Sequence, residues 1–189
     1  MSHCSHYLSE VSRLAKLIRA DELEEMARQL HEVRGRVFFI GLGGSAANAS
    51  HAVNDFRKLC GIEAYAPTDN VAELTAIAND SGWERIFWHW LVESKVNSKD
   101  ALFVLSVGGG TDEVSRPITI AIDFARIRRM EIFGIVGKDG GHTKKYGDHV
   151  IVIPIVNKRH ITPHTEAFQS VILHCLVSHP LLQKSPTKW

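Results

Sequence analysis

The stretch VFFIGLGGSAANASHAVNDF, Val37 to Phe56, decides the reading of this chain. Four apolar residues suited to a buried strand run into a turn of glycines and small residues. A segment with helical spacing follows and carries His51 and Asp55 four positions apart. Strand, bare turn and helix in that order predict a βα unit whose helix start faces a ligand. Glycines let the backbone come close, and the first amides of the helix have no internal partner. Gly43, Gly44 and Ser45 are therefore candidate ligand contacts, with Asn48 one turn further on. The turn also fits the loose dinucleotide pattern G-x-G-x-x-A. That pattern wants an acidic residue at the end of the second strand, whereas Glu63 opens the next apolar run and only Asp69 lies past it.

Working outward, further strands are expected at Glu63 to Thr68, Ala101 to Val107, Glu131 to Val136 and Val150 to Val156. Helical spacing occupies Ser45 to Leu59, Trp83 to Val96, Asp112 to Arg129 and Pro163 to Ser178. Such alternation implies right-handed crossovers and an α/β, doubly wound, five-stranded parallel sheet. Ahead of it, Tyr7 to Val33 reads as two amphipathic helices broken near Asp21, whose stripe must bury on the domain's own flank or on another copy. The expected organisation is a helical extension over 1–35 used in oligomer packing, a sheet domain over 36–182 and a frayed tail over 183–189.

The 189 residues suffice for one substantial core. Twenty-two lysines and arginines against 21 aspartates and glutamates argue against a nucleic-acid surface and against an acidic tail. Three cysteines without a CxxC pair fit neither a disulfide framework nor a cysteine zinc site, and they point to a reducing cytoplasm. No apolar run approaches the roughly 20 residues of a membrane helix, and the polar start is no secretory signal.

A second bare turn, SVGGGTDE from Ser106 to Glu113, follows the third strand at the corresponding point of its unit. In an open parallel sheet both turns lie at the carboxyl edge, and two anion-binding turns suit a compact phosphorylated ligand better than a dinucleotide. Ser106 and Thr111 would supply hydroxyls, and Gly108, Gly109 and Gly110 would let the backbone close around phosphate oxygens. The alternative is that the glycines only make tight turns and Thr111 only caps a helix. A third turn, GKDGGH from Gly137 to His142, reads as structural. His51 and Asp55 can share a metal or a proton. On the last helix, Glu166 and His174 are eight residues apart, about 12 Å of rise. Either Glu166 reaches across, or the two act on different parts of the ligand, or neighbouring subunits share the sites.

GLGGSAANASH, the AND of Ala78 to Asp80, LSVGGGT, GIVGKDGG and TPHTEAFQSVILH together resemble the sugar isomerase (SIS) domain of the phosphoheptose isomerase type, from the N-terminal helices to about Pro180. The resemblance implies a flavodoxin-like SIS fold. It also implies an aldose–ketose isomerase that interconverts sedoheptulose 7-phosphate and D-glycero-D-manno-heptose 7-phosphate in bacterial heptose synthesis. A cytoplasmic homotetramer with sites at subunit interfaces and a divalent metal, zinc by type, goes with it. Carried over by position, it implies phosphate or sugar contacts at Ser45, Ser106 and Thr111, a pocket aspartate at Asp80, and a metal ligand at His51. It implies a catalytic, metal-binding histidine at His174. Asp55 stands where the family usually has a catalytic glutamate and Glu166 where it usually has a glutamine. Leu42 replaces an asparagine, and Val107 and Gly108 replace polar residues. With these roles His174 and one carboxylate, Glu166 or Asp55, would shuttle the proton, and His51, Asp55, Glu166 and His174 would hold the ion. The rival functions are a non-catalytic phosphosugar-sensing or replication-initiator-associated SIS protein and a nicotinamide-dependent enzyme.

Overall fold

A computed structural model describes residues 2–187. Strands β1 (Val37–Ile40), β2 (Ala64–Tyr65), β3 (Ala101–Ser106), β4 (Glu131–Val136) and β5 (His149–Val152) form one sheet in the order β2-β1-β3-β4-β5. Every neighbouring pair is parallel. The expected doubly wound sheet is thus present. The chain leaves β1 for β2 on one side and then crosses to β3 on the other. The turns after β1 and β3 therefore diverge at the switch point, where such sheets open a crevice.

Burial on both faces explains the near-continuous apolar strands. All of β1 and β3 is buried. Alternate side chains serve opposite cores: Val37, Phe39, Phe103, Leu105, Phe133 and Ile135 face one, and Phe38, Ile40, Leu102, Val104 and Ile132 the other. In the first core Phe39 pairs in register with Phe103, and Phe103 with Phe133. Their rings stack at 4.9 and 5.9 Å between centroids, and Phe56 meets Phe39 edge-on at 4.9 Å.

Helices α1 (His3–Leu17), α2 (Ala20–Glu32) and α3 (Gly44–Leu59) precede α4 (Val71–Ser81), α5 (Ile86–Glu93), α6 (Arg116–Ile127), α7 (Gly141–Tyr146) and α8 (Ile161–Val177). The N-terminal stripe lies largely on this chain's own flank. Leu14, Met26, Ala27 and Leu30 are buried in the Phe39 core, while Leu8 and Leu17 remain exposed. The break falls at Ile18–Arg19, just before the expected position.

Several expected boundaries shift for local reasons. The second strand shortens to Ala64–Tyr65 because Pro67 has no N–H and opens a 3₁₀ turn. The fifth strand ends at Val152, two residues before Pro154. The expected helix from Trp83 begins as a 3₁₀ turn and becomes α-helical only at Ile86. That from Asp112 starts at Arg116, with Pro117 in its first turn. Helix α4 gave no sequence signal because only Ile77 of it is buried, and α7 has just six residues. In the supposedly frayed tail, the Lys184 and Ser185 amides both donate to the Leu59 carbonyl. Lys188 and Trp189 lie outside the described residues.

Asp100, 2% exposed, locks the amino edge of the sheet. It accepts hydrogen bonds from the Arg36 amide and guanidinium and from the Asn97 amide and side chain. Burial works to raise the Asp100 carboxyl, but the Arg36 and Asn97 hydrogen bonds outweigh it and hold the group below its ordinary value. Removing one partner of such a pair strands the other. Asp100→Ala is expected to cost about 3 kcal/mol in urea unfolding. Because the folded value is depressed, this stabilisation is complete above the ordinary carboxylate range and is lost as pH falls through the lowered value. The acid limb of the stability profile should therefore flatten in the variant.

Candidate functional site

At the carboxyl edge a cavity of about 530 Å³ opens in the crevice, bordered by Ser45, Ser106, Gly108, Thr111, Lys138 and Thr162 among others. The second glycine turn forms its floor. Ser106 is buried and accepts from the Gly109 amide at 3.0 Å. Thr111 accepts from the Val114 amide at 2.9 Å. These hydroxyls shape the loop and also border the space a ligand would fill.

Contacts with the third turn hold this loop in place. The Gly137 amide donates to the Ser106 and Val107 carbonyls, that of His142 to Gly110, and both the amide and hydroxyl of Thr143 to Gly109. Gly109 has φ +71°, and a Cβ there would lie 1.9 Å from the Gly140 carbonyl oxygen. The third turn is therefore structural, as expected, yet it also brings Lys138 and Asp139 to the cavity, which the sequence reading missed. A lysine inside a glycine turn at a strand's carboxyl end was the available signal.

The first turn behaves differently from expectation. Gly43 has φ +61° and caps α3, and Ser45 is buried and accepts from the Gln169 amide at 3.1 Å. Ser45 borders the cavity, but Gly43 and Gly44 do not. A Cβ on Gly44 would meet the Glu166 carboxylate at 2.5 Å. An acidic group of the chain itself thus lies at the amide end of α3, a placement favoured by the helix dipole. Asn48 is engaged between helices: it donates to the Glu166 carbonyl and the Gln169 side chain, each at 2.9 Å, and accepts from Ser170. Asp80 is exposed on α4, bonded to Asn79, and does not border the cavity.

Helices α3 and α8 run side by side in the same direction, since Asn48 meets Gln169 and, further along, His51 meets His174. The two Nε2 atoms of His51 and His174 are 2.9 Å apart, and Asp55 Oδ2 lies 3.3 Å from the first and 3.6 Å from the second. They border a separate cavity of about 310 Å³ with Lys58, Leu59 and Ser178. Two imidazoles and a carboxylate whose donor atoms lie within 4.8 Å of one another fit a divalent ion of zinc type. Glu166 is not in this group. It sits beside Gly44, seven residues or about 10 Å of helix before His51, so one chain gathers three of the four expected ligands. Nor is the cluster in the glycine-turn cavity, contrary to a single shared site within one chain.

A glycine-turn cavity at the switch point of a doubly wound sheet defines an α/β ligand-binding domain for a small anionic compound. No family model matches the chain. It is 32% identical over 160 residues to the phosphoheptose isomerase of Trichlorobacter lovleyi, covering 82% of this chain and 77% of that one. With the phosphoheptose isomerase of a Nitratiruptor species it shares 34% over 148 residues, covering 76% and 74%. The chain belongs to the phosphoheptose isomerase family. Its fold matches that of phosphoheptose isomerase GmhA from Neisseria gonorrhoeae with a TM-score of 0.79 at 23% identity, covering 92% and 94% of the two chains.

Two expectations follow from this geometry. Gly109→Ala should lower the melting temperature markedly, because its Cβ collides with backbone, whereas Gly108→Ala, whose Cβ meets nothing within 4 Å, should leave it nearly unchanged. Burial, aided by the negative charge of Asp55, pushes the Cys60 thiol up to about 11. A thiol reagent at pH 8 should therefore leave Cys60 unmodified in the native protein, and label it on unfolding, as peptide mapping would show.

Proposed function

We propose that this chain is an aldose–ketose isomerase of bacterial heptose synthesis, converting sedoheptulose 7-phosphate to D-glycero-D-manno-heptose 7-phosphate in the cytoplasm. The observation that carries the reading is the pairing, in a member of this family, of a cavity floored by Ser106–Thr111 with the His51–Asp55–His174 cluster. The first suits a phosphoryl group, held by loop amides and by Ser45, Ser106 and Thr111. Lys138 adds a positive charge at its rim.

Isomerisation moves a proton between two adjacent carbons through an enediol, which requires a base and stabilisation of the negative oxygen. One carboxylate, Glu166 beside the turn that bears Ser45 or Asp55 at the place of the family's usual catalytic glutamate, takes the carbon-bound proton and returns it to the neighbouring carbon. His174, oriented by Asp55, serves the oxygens. His51, Asp55 and His174 are also the residues that would hold zinc, which when bound would polarise the substrate carbonyl.

In the proposed homotetramer a second copy would bring its cluster to the first copy's cavity and so join the two into one shared site. Exposed Leu8, Leu17 and Val171, the last on α8 between Glu166 and His174, supply apolar surface for that contact. Incubation with sedoheptulose 7-phosphate, followed by NMR of the sugar carbons, should show the aldose. His174→Ala, and one of Glu166→Gln and Asp55→Asn, should each reduce kcat by about 10²–10⁴-fold with the fold retained. Mixed assemblies of Ser106→Ala and His174→Ala chains should recover part of the activity. Near-normal turnover in His174→Ala, or in both Glu166→Gln and Asp55→Asn, would refute the assignment.

A further inference from the structure

A second cluster of ligand-type side chains lies where the N-terminal helix crosses the start of α8, away from the residues used above. Glu10 of α1 presents Oε2 to His160 Nδ1 at 2.7 Å and to His164 Nε2 at 2.8 Å. All three donor atoms lie within 4.8 Å of one another. The two histidines are four apart across the entry to α8, His160 ending a 3₁₀ turn and His164 in the helix's first turns, so both reach Glu10 although their ring planes stand at 88°.

The surroundings fix each group. The Asn157 side chain donates to Glu10 Oε1 at 2.7 Å, which leaves Oε2 for the imidazoles. The Tyr7 ring packs against His164 at 4.6 Å and against His160 at 5.3 Å between centroids. His164 is 3% exposed and its Nδ1 is buried without a hydrogen-bond partner among the described residues, so the polar engagement of this ring runs through Nε2 alone. Glu10 thus accepts from Asn157 through Oε1 and faces both imidazoles through Oε2.

We propose that Glu10, His160 and His164 form a second divalent-metal site, for an ion that accepts imidazole and carboxylate, with zinc the best match. At ordinary zinc–nitrogen and zinc–oxygen distances, tetrahedral ligand atoms stand about 3.3 Å apart. Each imidazole nitrogen therefore needs to draw back from Oε2 by only about half an ångström to admit the ion. Asn157 supplies the outer hydrogen bond that such carboxylate ligands usually carry. The ion takes the place of the two N–H groups now directed at Oε2, each ring then carrying its one proton on the other nitrogen, His160 Nε2 and His164 Nδ1, and a water completes the coordination. It would join α1 to the start of α8 across some 150 residues of sequence, beside Thr162 at the cavity rim.

The test uses the full chain stripped of metal and titrated with zinc against a chromophoric chelator. Two equivalents should bind per chain, and His51→Ala/His174→Ala should lose one of them. In that double variant cobalt(II) should give the intense visible absorption of a four-coordinate site, and adding His160→Asn or Glu10→Gln should abolish it. Zinc should raise the melting temperature of the double variant and not that of the triple ones. His160 and Glu10 are partly exposed, so these substitutions leave the core intact, which circular dichroism would verify. The proposal is overturned if the double variant binds neither zinc nor cobalt, or if His160→Asn and Glu10→Gln both leave the cobalt spectrum unchanged.

Discussion

The row Phe39, Phe103 and Phe133 is the constraint on which the rest depends. Three aromatic rings in register across β1, β3 and β4 allow no slip, because a shift of one residue would send each ring to the opposite face of the sheet. Register fixes where each strand ends. The ends place the turns at Gly41, Ser106 and Gly137 on one edge, close enough for the Gly109 and Gly140 backbones to touch. The cavity is thus a result of packing in the core several residues away.

The helix pair α3 and α8 carries the polar chemistry along one seam. At its start Ser45, Asn48 and Gln169 tie the helices together, and further along His51, Asp55 and His174 meet. The rigidity of that seam separates Glu166 from His174, since a continuous helix from Ile161 to Val177 cannot fold back to bring both to one atom. Within one chain, helix geometry more than any particular side chain keeps Glu166 out of the His51 cluster.

Much of this was legible in the residues. VFFI followed by GLGGS gave β1 and the start of α3 almost to the residue, because apolar continuity and a glycine turn are local signals. Spacing alone showed His51, Asp55 and His174 as a candidate pair plus a distant histidine, since the partnership depends on two helices lying side by side, and the family resemblance was what grouped them, with Glu166 added. The role of Asn48 was hidden for the same reason: an amide on a helix looks alike whether it meets a ligand or a neighbouring helix. Lys138 and Asp139 were passed over because the turn that carries them reads as mere geometry, which it also is. The Glu10–His160–His164 cluster is invisible to spacing, as Glu10 lies about 150 positions away from both histidines.

The parallel alignment of α3 and α8 also matters for the electrical character of the crevice. Both helices begin at the same edge of the sheet, so the amide ends of two helix dipoles lie side by side there, the α3 end beside the Glu166 carboxylate. A field built from peptide dipoles carries no titrating proton, and substitution of surface residues does not remove it. The backbone thus contributes a fixed part of the attraction for a negatively charged guest, on which the charges of Lys138, Asp139 and Glu166 are superimposed.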